Sequence, residues 1–167
     1  MVLALDMSTK NTGYAIYNDK GELVTYGEIG SSSTILLKRI RVMTDRINEL
    51  IQEYSIKEIV AEEVIPESGA RTNIKTQRAL MYLQAALELL VYDNYSKVKI
   101  NYVYPSSWRA TCGIKNGRGL KRETLKQADI KYVLDNFNIE TNDDIADAIC
   151  IGHSVFLPQE SDELNWG

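Results

Sequence analysis

Histidine, cysteine and proline are scarce in this sequence, and its apolar runs are short. It has one histidine, two cysteines and three prolines. Cys112 and Cys150 lie far apart and form no CxxC pair. They read as reduced core residues, not as a zinc site or a disulfide framework. No apolar run approaches the ~20 residues that a membrane helix requires. The N-terminus lacks a basic region followed by a long apolar stretch, so no secretory signal is expected and the predicted location is cytoplasmic. Repeats and low-complexity linkers are absent too. The 167 residues, 44% of them apolar and 25% charged, suit one ordinary globular domain.

What is present is an uneven distribution of charge. The net charge of −4 argues weakly against a nucleic-acid partner. Yet from Trp108 to Tyr132 the chain carries Arg109, Lys115, Arg118, Lys121, Arg122, Lys126 and Lys131 against only Glu123 and Asp129. From Glu140 to Gly167 there are seven acids and no Lys or Arg, and without them the first 139 residues carry +3. A basic segment beside an acidic one is the pattern of an electrostatic footprint, with a solvated helix face as the plain alternative.

The pattern of elements is legible. Residues 2–6 form an apolar run expected to be a central strand. Residues 12–17 and 23–29 read as two more strands, split by the turn "NDKGE", so an antiparallel meander is predicted. Apolar positions 36, 37, 40, 43, 47, 50, 51 and 54 predict a helix over 35–54 with one buried stripe. Residues 57–65 read as a strand ended by Pro66, and 70–92 as a long helix. That helix is apolar nearly all round, so it is buried on more than one side or carries a partner. Residues 98–104 read as a fifth strand broken by Pro105, followed by a short helix capped by Ser106 or Ser107. Helices over 120–136 and 142–157 complete the order, the last stopped by Pro158. Short βα units demand parallel pairing of the later strands. The expected fold is therefore α/β: a mixed five-stranded sheet flanked by helices. Residues 1–157 are read as one domain and 158–167 as an acidic tail expected to be disordered.

Acids stand where strands and helices would bury them. Asp6 ends the first strand, Glu62 and Glu63 end the fourth, and Asp144 and Asp147 lie three apart near the start of the last helix. Acids from three distant places that share one site would repel each other unless a cation neutralises them. Oxygen ligands with no His or Cys select Mg²⁺ or Mn²⁺, and a two-ion site suits phosphodiester hydrolysis. Each acid has a plainer reading. Asp6 could cap a turn with Ser8 and Thr9. "TNDD" has the form of a capping box from Thr141 to Asp144. Strand alternation puts Glu62 and Glu63 on opposite faces without saying which is inward.

Taken in order, "LALDMSTKNTGYAIY", "IVAEEVI" and "DDIADAICIGH" resemble the RuvC family of Holliday-junction resolvases, nucleases of the RNase H-like (retroviral-integrase) fold. The family opens with a strand, an Asp and a Gly-Tyr pair, matched by Asp6 and Gly13-Tyr14. It has a Glu at the end of the fourth strand, matched by Glu62, and an Asp-x-x-Asp-Ala motif, matched by Asp144, Asp147 and Ala148. "PSSWRATCGIKNGRGLKRE" resembles its basic segment, and carries Arg109 and Lys121 onto positions that contact DNA. The match runs over roughly residues 2–157.

The resemblance implies a structure-selective endonuclease that nicks four-way and other branched DNA. It also implies two Mg²⁺, with Mn²⁺ substituting, held by Asp6, Glu62, Asp144 and Asp147. DNA contacts are expected from Lys10, Arg71, Arg109, Lys115, Arg118, Lys121 and Arg122. A homodimer built on helix 70–92 is implied, with no membrane and no organic cofactor involved. "MST" stands where bacterial members have Pro-Gly-Ser, Ile65 replaces an aromatic, and residues 66–73 differ. These departures bear on sequence-selective cleavage, and with the small size they look more like phage-encoded members acting in an infected or bacterial cell. His153 is expected to be structural.

The opening also resembles the first phosphate-binding hairpin of the sugar-kinase/actin-like ATPases, where Asp6 would act on ATP through Mg²⁺. Such kinases need two domains, and this length supplies one. A non-catalytic branched-DNA binder and an RNase H acting on hybrids are the further alternatives.

Overall fold

The structure, a computed structural model, describes residues 1–64, 73–117 and 119–158. Strands β1 (Val2–Asp6), β2 (Asn11–Tyr17) and β3 (Leu23–Gly30) form an antiparallel meander. Helix α1 (Leu36–Glu53) then leads to β4 (Glu58–Glu62), and α2 (Ile74–Asn94) leads to β5 (Lys99–Val103). Both β4 and β5 pair in parallel, giving the order β3-β2-β1-β4-β5. Three helices follow: α3 (Pro105–Thr111), α4 (Arg122–Phe137) and α5 (Asp143–Ser154).

β1 is central because both its faces are covered. Leu3 and Leu5 enter one core, with Ile16, Ile59 and the stripes of α1 and α2. Val2 and Ala4 enter the other, with Tyr17, Val60, Trp108, Val133 and Ile149. The period of two in a strand sends successive side chains to opposite cores, and a buried Leu contributes roughly 1.5–3 kcal/mol. α5 packs directly on β1 and β2. Tyr17 donates its hydroxyl to the Ile149 carbonyl at 2.7 Å, and a Cβ on Gly152 would overlap the Tyr17 ring. The small residue lets the helix lie close to the sheet.

Several boundaries differ from the sequence expectations for physical reasons. α3 starts at Pro105, with Tyr104 as N-cap and no side-chain cap bond, so neither Ser106 nor Ser107 caps it. Proline at the first helical position is pre-organised and needs no N–H there. α5 is capped by the Asn142 side chain, which accepts from Ile145 N at 3.0 Å, and not by Thr141. It ends at Ser154, short of Pro158. β4 ends at Glu62, earlier than expected. α2 is not buried all round. Ala79, Leu83, Leu87 and Val91 form its one covered stripe, while Ile74, Met81, Leu89 and Tyr92 are exposed. Of the expected tail 158–167, all but Pro158 lies outside the described residues. No helix among the described residues is long and apolar enough to cross a membrane.

Candidate active site

The four acids singled out in the sequence line one cleft of about 680 Å³. Asp6 and Glu62 arrive from the C-terminal ends of neighbouring parallel strands, where open α/β sheets place their ligands. Asp144 and Asp147 arrive from the first turns of α5. The turn after Asp6 is closed by other residues. Thr12 Oγ1 accepts from Ser8 N at 3.1 Å and donates to Ser8 O at 2.6 Å. Asp6 is therefore not spent on capping that turn.

Burial and mutual repulsion dominate the electrostatics. Burial, followed by the charges of Glu62 and Asp144, pushes Asp6 up to about 8. Burial, followed by Asp6 and Asp129, pushes Asp147 up to about 9. Burial also raises Glu62, opposed by a hydrogen bond from Trp108 Nε1 to its Oε2 at 3.0 Å. Asp144 is raised by burial and then by nearby Glu28. Asp147 Oδ1 is buried and accepts no hydrogen bond. A hard divalent cation fits this donor set in type and charge: all the ligand atoms are oxygens, the cluster is overloaded with negative charge, and one oxygen is orphaned. Among the described residues no group of three His, Cys, Asp or Glu side chains is close enough to hold an ion, so the ligands share a cleft without enclosing a common point.

Glu62 and Glu63 both line the cleft, but only Glu62 is tied into the interior through Trp108. Of the expected DNA contacts, Lys10, Lys115, Lys121 and Arg122 are exposed, and Arg122 reaches the cleft wall. Arg71 and Arg118 lie outside the described residues, as does Ile65.

Arg109, another of the expected DNA contacts, lines the same cleft. It is not a surface cation: its side chain is 11% exposed and grips Asp129 through Nε at 3.0 Å and Nη2 at 2.7 Å. The same Nη2 lies 3.8 Å from Asp147 Oδ2. A guanidinium enclosed this way serves the protein interior before any phosphate.

The sequence reading missed three participants. Asp129 is fully buried, and its place at i+4 from Leu125 and i−4 from Val133 on α4 was the available signal. Trp108 binds Glu62 across 46 residues, with no local signal. Lys126 pairs with Asp143 at the cleft edge. His153 is distant in role: Nδ1 meets the Tyr132 hydroxyl at 2.9 Å and the ring packs on Phe137. Cys112 and Cys150 are free and buried, as expected.

With this geometry in hand, likeness to known proteins is informative. A curated relative, crossover junction endodeoxyribonuclease RuvC of Dictyoglomus thermophilum, is 28% identical over 164 residues, covering 96% of this chain and 98% of its own. The protein of the same name from Aliarcobacter butzleri is 25% identical over 115 residues, covering 66% and 75%. Among solved structures, RuvC of Thermus thermophilus in complex with Holliday junction substrate superposes with a TM-score of 0.68 at 13% identity, covering 92% of this chain and 90% of its own. The yeast mitochondrial Holliday junction resolvase Ydc2 gives 0.58 at 16% identity, covering 93% and 77%. The fold is thus the RNase H-like fold of these resolvases, and the resemblance to RuvC read from the sequence is borne out. A family profile matches residues 1–156, and the chain belongs to that family, DUF3882, described as Lactococcus phage M3 protein.

Proposed function

We propose that this chain is a divalent-metal-dependent endonuclease that nicks four-way junctions, and other branched DNA, by phosphodiester hydrolysis. One observation carries the reading: Asp6, Glu62, Asp144 and Asp147, from three separate elements, line one cleft, and Asp147 Oδ1 is buried without a hydrogen-bond partner. The relatives named for junction cleavage, and the junction-bound structure of the same fold, support the substrate class.

These four carboxylates would hold two Mg²⁺ ions, with Mn²⁺ able to replace them. Bound ions supply electrophilic stabilisation of phosphate oxygens and make water a nucleophile near neutral pH. The chain's own residues do the rest. Trp108 and Arg109 hold Glu62 and Asp147 from within the protein. Arg122 at the cleft wall, together with exposed Lys10, Lys115 and Lys121, would draw the phosphate backbone in without reading sequence. Arg71 and Arg118 belong to the same proposed set.

Resolution of a four-way junction needs two nicks, and a homodimer supplies two clefts. The outward stripe of α2, with Ile74, Met81, Tyr82, Leu89 and Tyr92 exposed on one face, is the proposed contact. A groove of about 460 Å³ between α1 and α2, lined by Leu37, Leu89 and Leu90, adjoins it. Sedimentation equilibrium reads this directly; a monomer at micromolar concentration, or a dimer indifferent to Leu89→Glu, counts against it.

The test of function is an end-labelled four-way junction beside a matched linear duplex, with Mg²⁺ and with chelator. Paired Mg²⁺-dependent nicks on the junction alone support the reading. Tight junction binding without cleavage points instead to a binder. Equal cleavage of linear duplex removes structure selectivity.

A further inference from the structure

Helix α3 meets the acids of the cleft with two consecutive side chains. Trp108, 1% exposed, donates its indole N–H to Glu62 Oε2 at 3.0 Å. Arg109, gripped by Asp129, places Nη2 3.8 Å from Asp147 Oδ2 and leaves Asp147 Oδ1 uncommitted. The guanidinium carbon also sits 4.2 Å from the centre of the Trp108 ring, so the two side chains brace each other. Terminal carboxylate torsions are broad, so the plane of each acid is set by what its oxygens meet. Groups with no acceptor atom suit that task, Trp108 through its hydrogen bond to Glu62 and Arg109 through its ion pair with Asp147. An indole N–H is a donor only, and a guanidinium stays charged, so neither competes for a cation.

We propose that Trp108, and Arg109 as anchored by Asp129, are positioning residues that fix the planes of Glu62 and Asp147 and so determine which oxygen of each is offered to a divalent ion. This rests on the metal-dependent reading above and deepens it. The plain alternative is that Trp108 fills core and Arg109 merely neutralises charge. Outer-shell partners of metal ligands typically change metal affinity by roughly 10–100-fold, whereas a purely packing role moves stability alone.

The experiment is Mn²⁺ affinity, read from the electron paramagnetic resonance signal of free Mn²⁺, for the full chain and for Trp108→Phe. The variant keeps an aromatic ring and loses the N–H. Folded Trp108→Phe is expected to bind Mn²⁺ about tenfold more weakly. Its cleavage should recover at high Mn²⁺, while junction affinity in chelator stays at the wild-type level. Asp129→Asn is the second variant, which keeps shape and frees Arg109 to turn onto Asp147; again about tenfold weaker binding is expected. Wild-type Mn²⁺ affinity in either folded variant overturns the proposal and leaves the nuclease reading intact. A wild-type chain that binds no Mn²⁺ overturns both.

Discussion

The backbone carbonyl of Asp144 rests against the Cα of Gly13, and a Cβ there would overlap it. Gly13 is also the residue paired with Asp6 across β1 and β2. One position therefore sets the approach of α5 to the strand that carries the first acid. Gly13→Ala must push the first turn of α5 outward and carry Asp144 with it. Overpacking of this kind costs roughly 1–3 kcal/mol. A displacement near 1 Å in a catalytic group can cost about 100-fold in rate. We expect a modest fall in Tm with a fall in cleavage rate of about that size. A variant that keeps wild-type cleavage would show that Asp144 is not placed this way.

The two glutamates at the end of β4 make a sharper test. Glu62 takes the Trp108 hydrogen bond, whereas Glu63 has no such tie. Glu62→Gln should lower the cleavage rate by roughly 100-fold or more, by analogy with other lost groups that stabilise a transition state, and Glu63→Gln should stay within a few-fold of wild type. Asp6→Asn should abolish cleavage and keep junction binding, because it removes a ligand and leaves the proposed phosphate contacts in place. Gel-shift and cleavage assays on the same preparations read both. Equal activity of the two glutamine variants contradicts the assignment of Glu62.

Much of this was legible in the sequence. The run from Val2 to Leu5 is apolar at every position because each residue feeds one of two cores. Asp6 stands out because it ends that run. The burial of Arg109 was not legible because, among Lys115, Lys121 and Arg122, nothing nearby distinguishes a buried cation from solvated ones. Its partner was the clue, since Asp129 shares the covered stripe of α4 with Val133. The Trp108–Glu62 bond is a tertiary contact with no sequence period behind it. For α2, composition announced an apolar helix, but only the packing of Leu83 and Leu87 decides which stripe is covered.

Two basic residues that look alike in sequence should behave differently. Lys121 is exposed, so Lys121→Ala should weaken junction binding and lower the salt slope by about one. Arg109→Ala leaves Asp129 buried without its partner, and breaking such a pair costs roughly 3–5 kcal/mol. Its salt slope should match wild type wherever the variant is folded. Binding isotherms over a salt series, with thermal melts, separate the two. A salt slope lowered equally by both substitutions would return Arg109 to the DNA-facing set.

The acidic cleft should make stability fall with pH when no cation is present. Asp6 is raised from 3.8 to about 8 and Asp147 from 3.8 to about 9, burial being the first cause in each case. Across that window the folded chain holds more protons than the unfolded chain, so raising the pH favours unfolding. In chelator, Tm should decline from about pH 5 to about pH 9, and Asp6→Asn should flatten part of the decline. Mg²⁺ binds the deprotonated cluster, so its stabilising effect should grow toward the alkaline end. His153, lowered by burial, acts in the opposite sense and only toward acid, where protonating it costs stability below its ordinary range. Thermal melts across pH, with and without Mg²⁺, read all of this. A Tm that climbs from neutral to alkaline pH in chelator, and ignores Mg²⁺ there, would mean that these carboxylates are not held together as an ion-binding cluster.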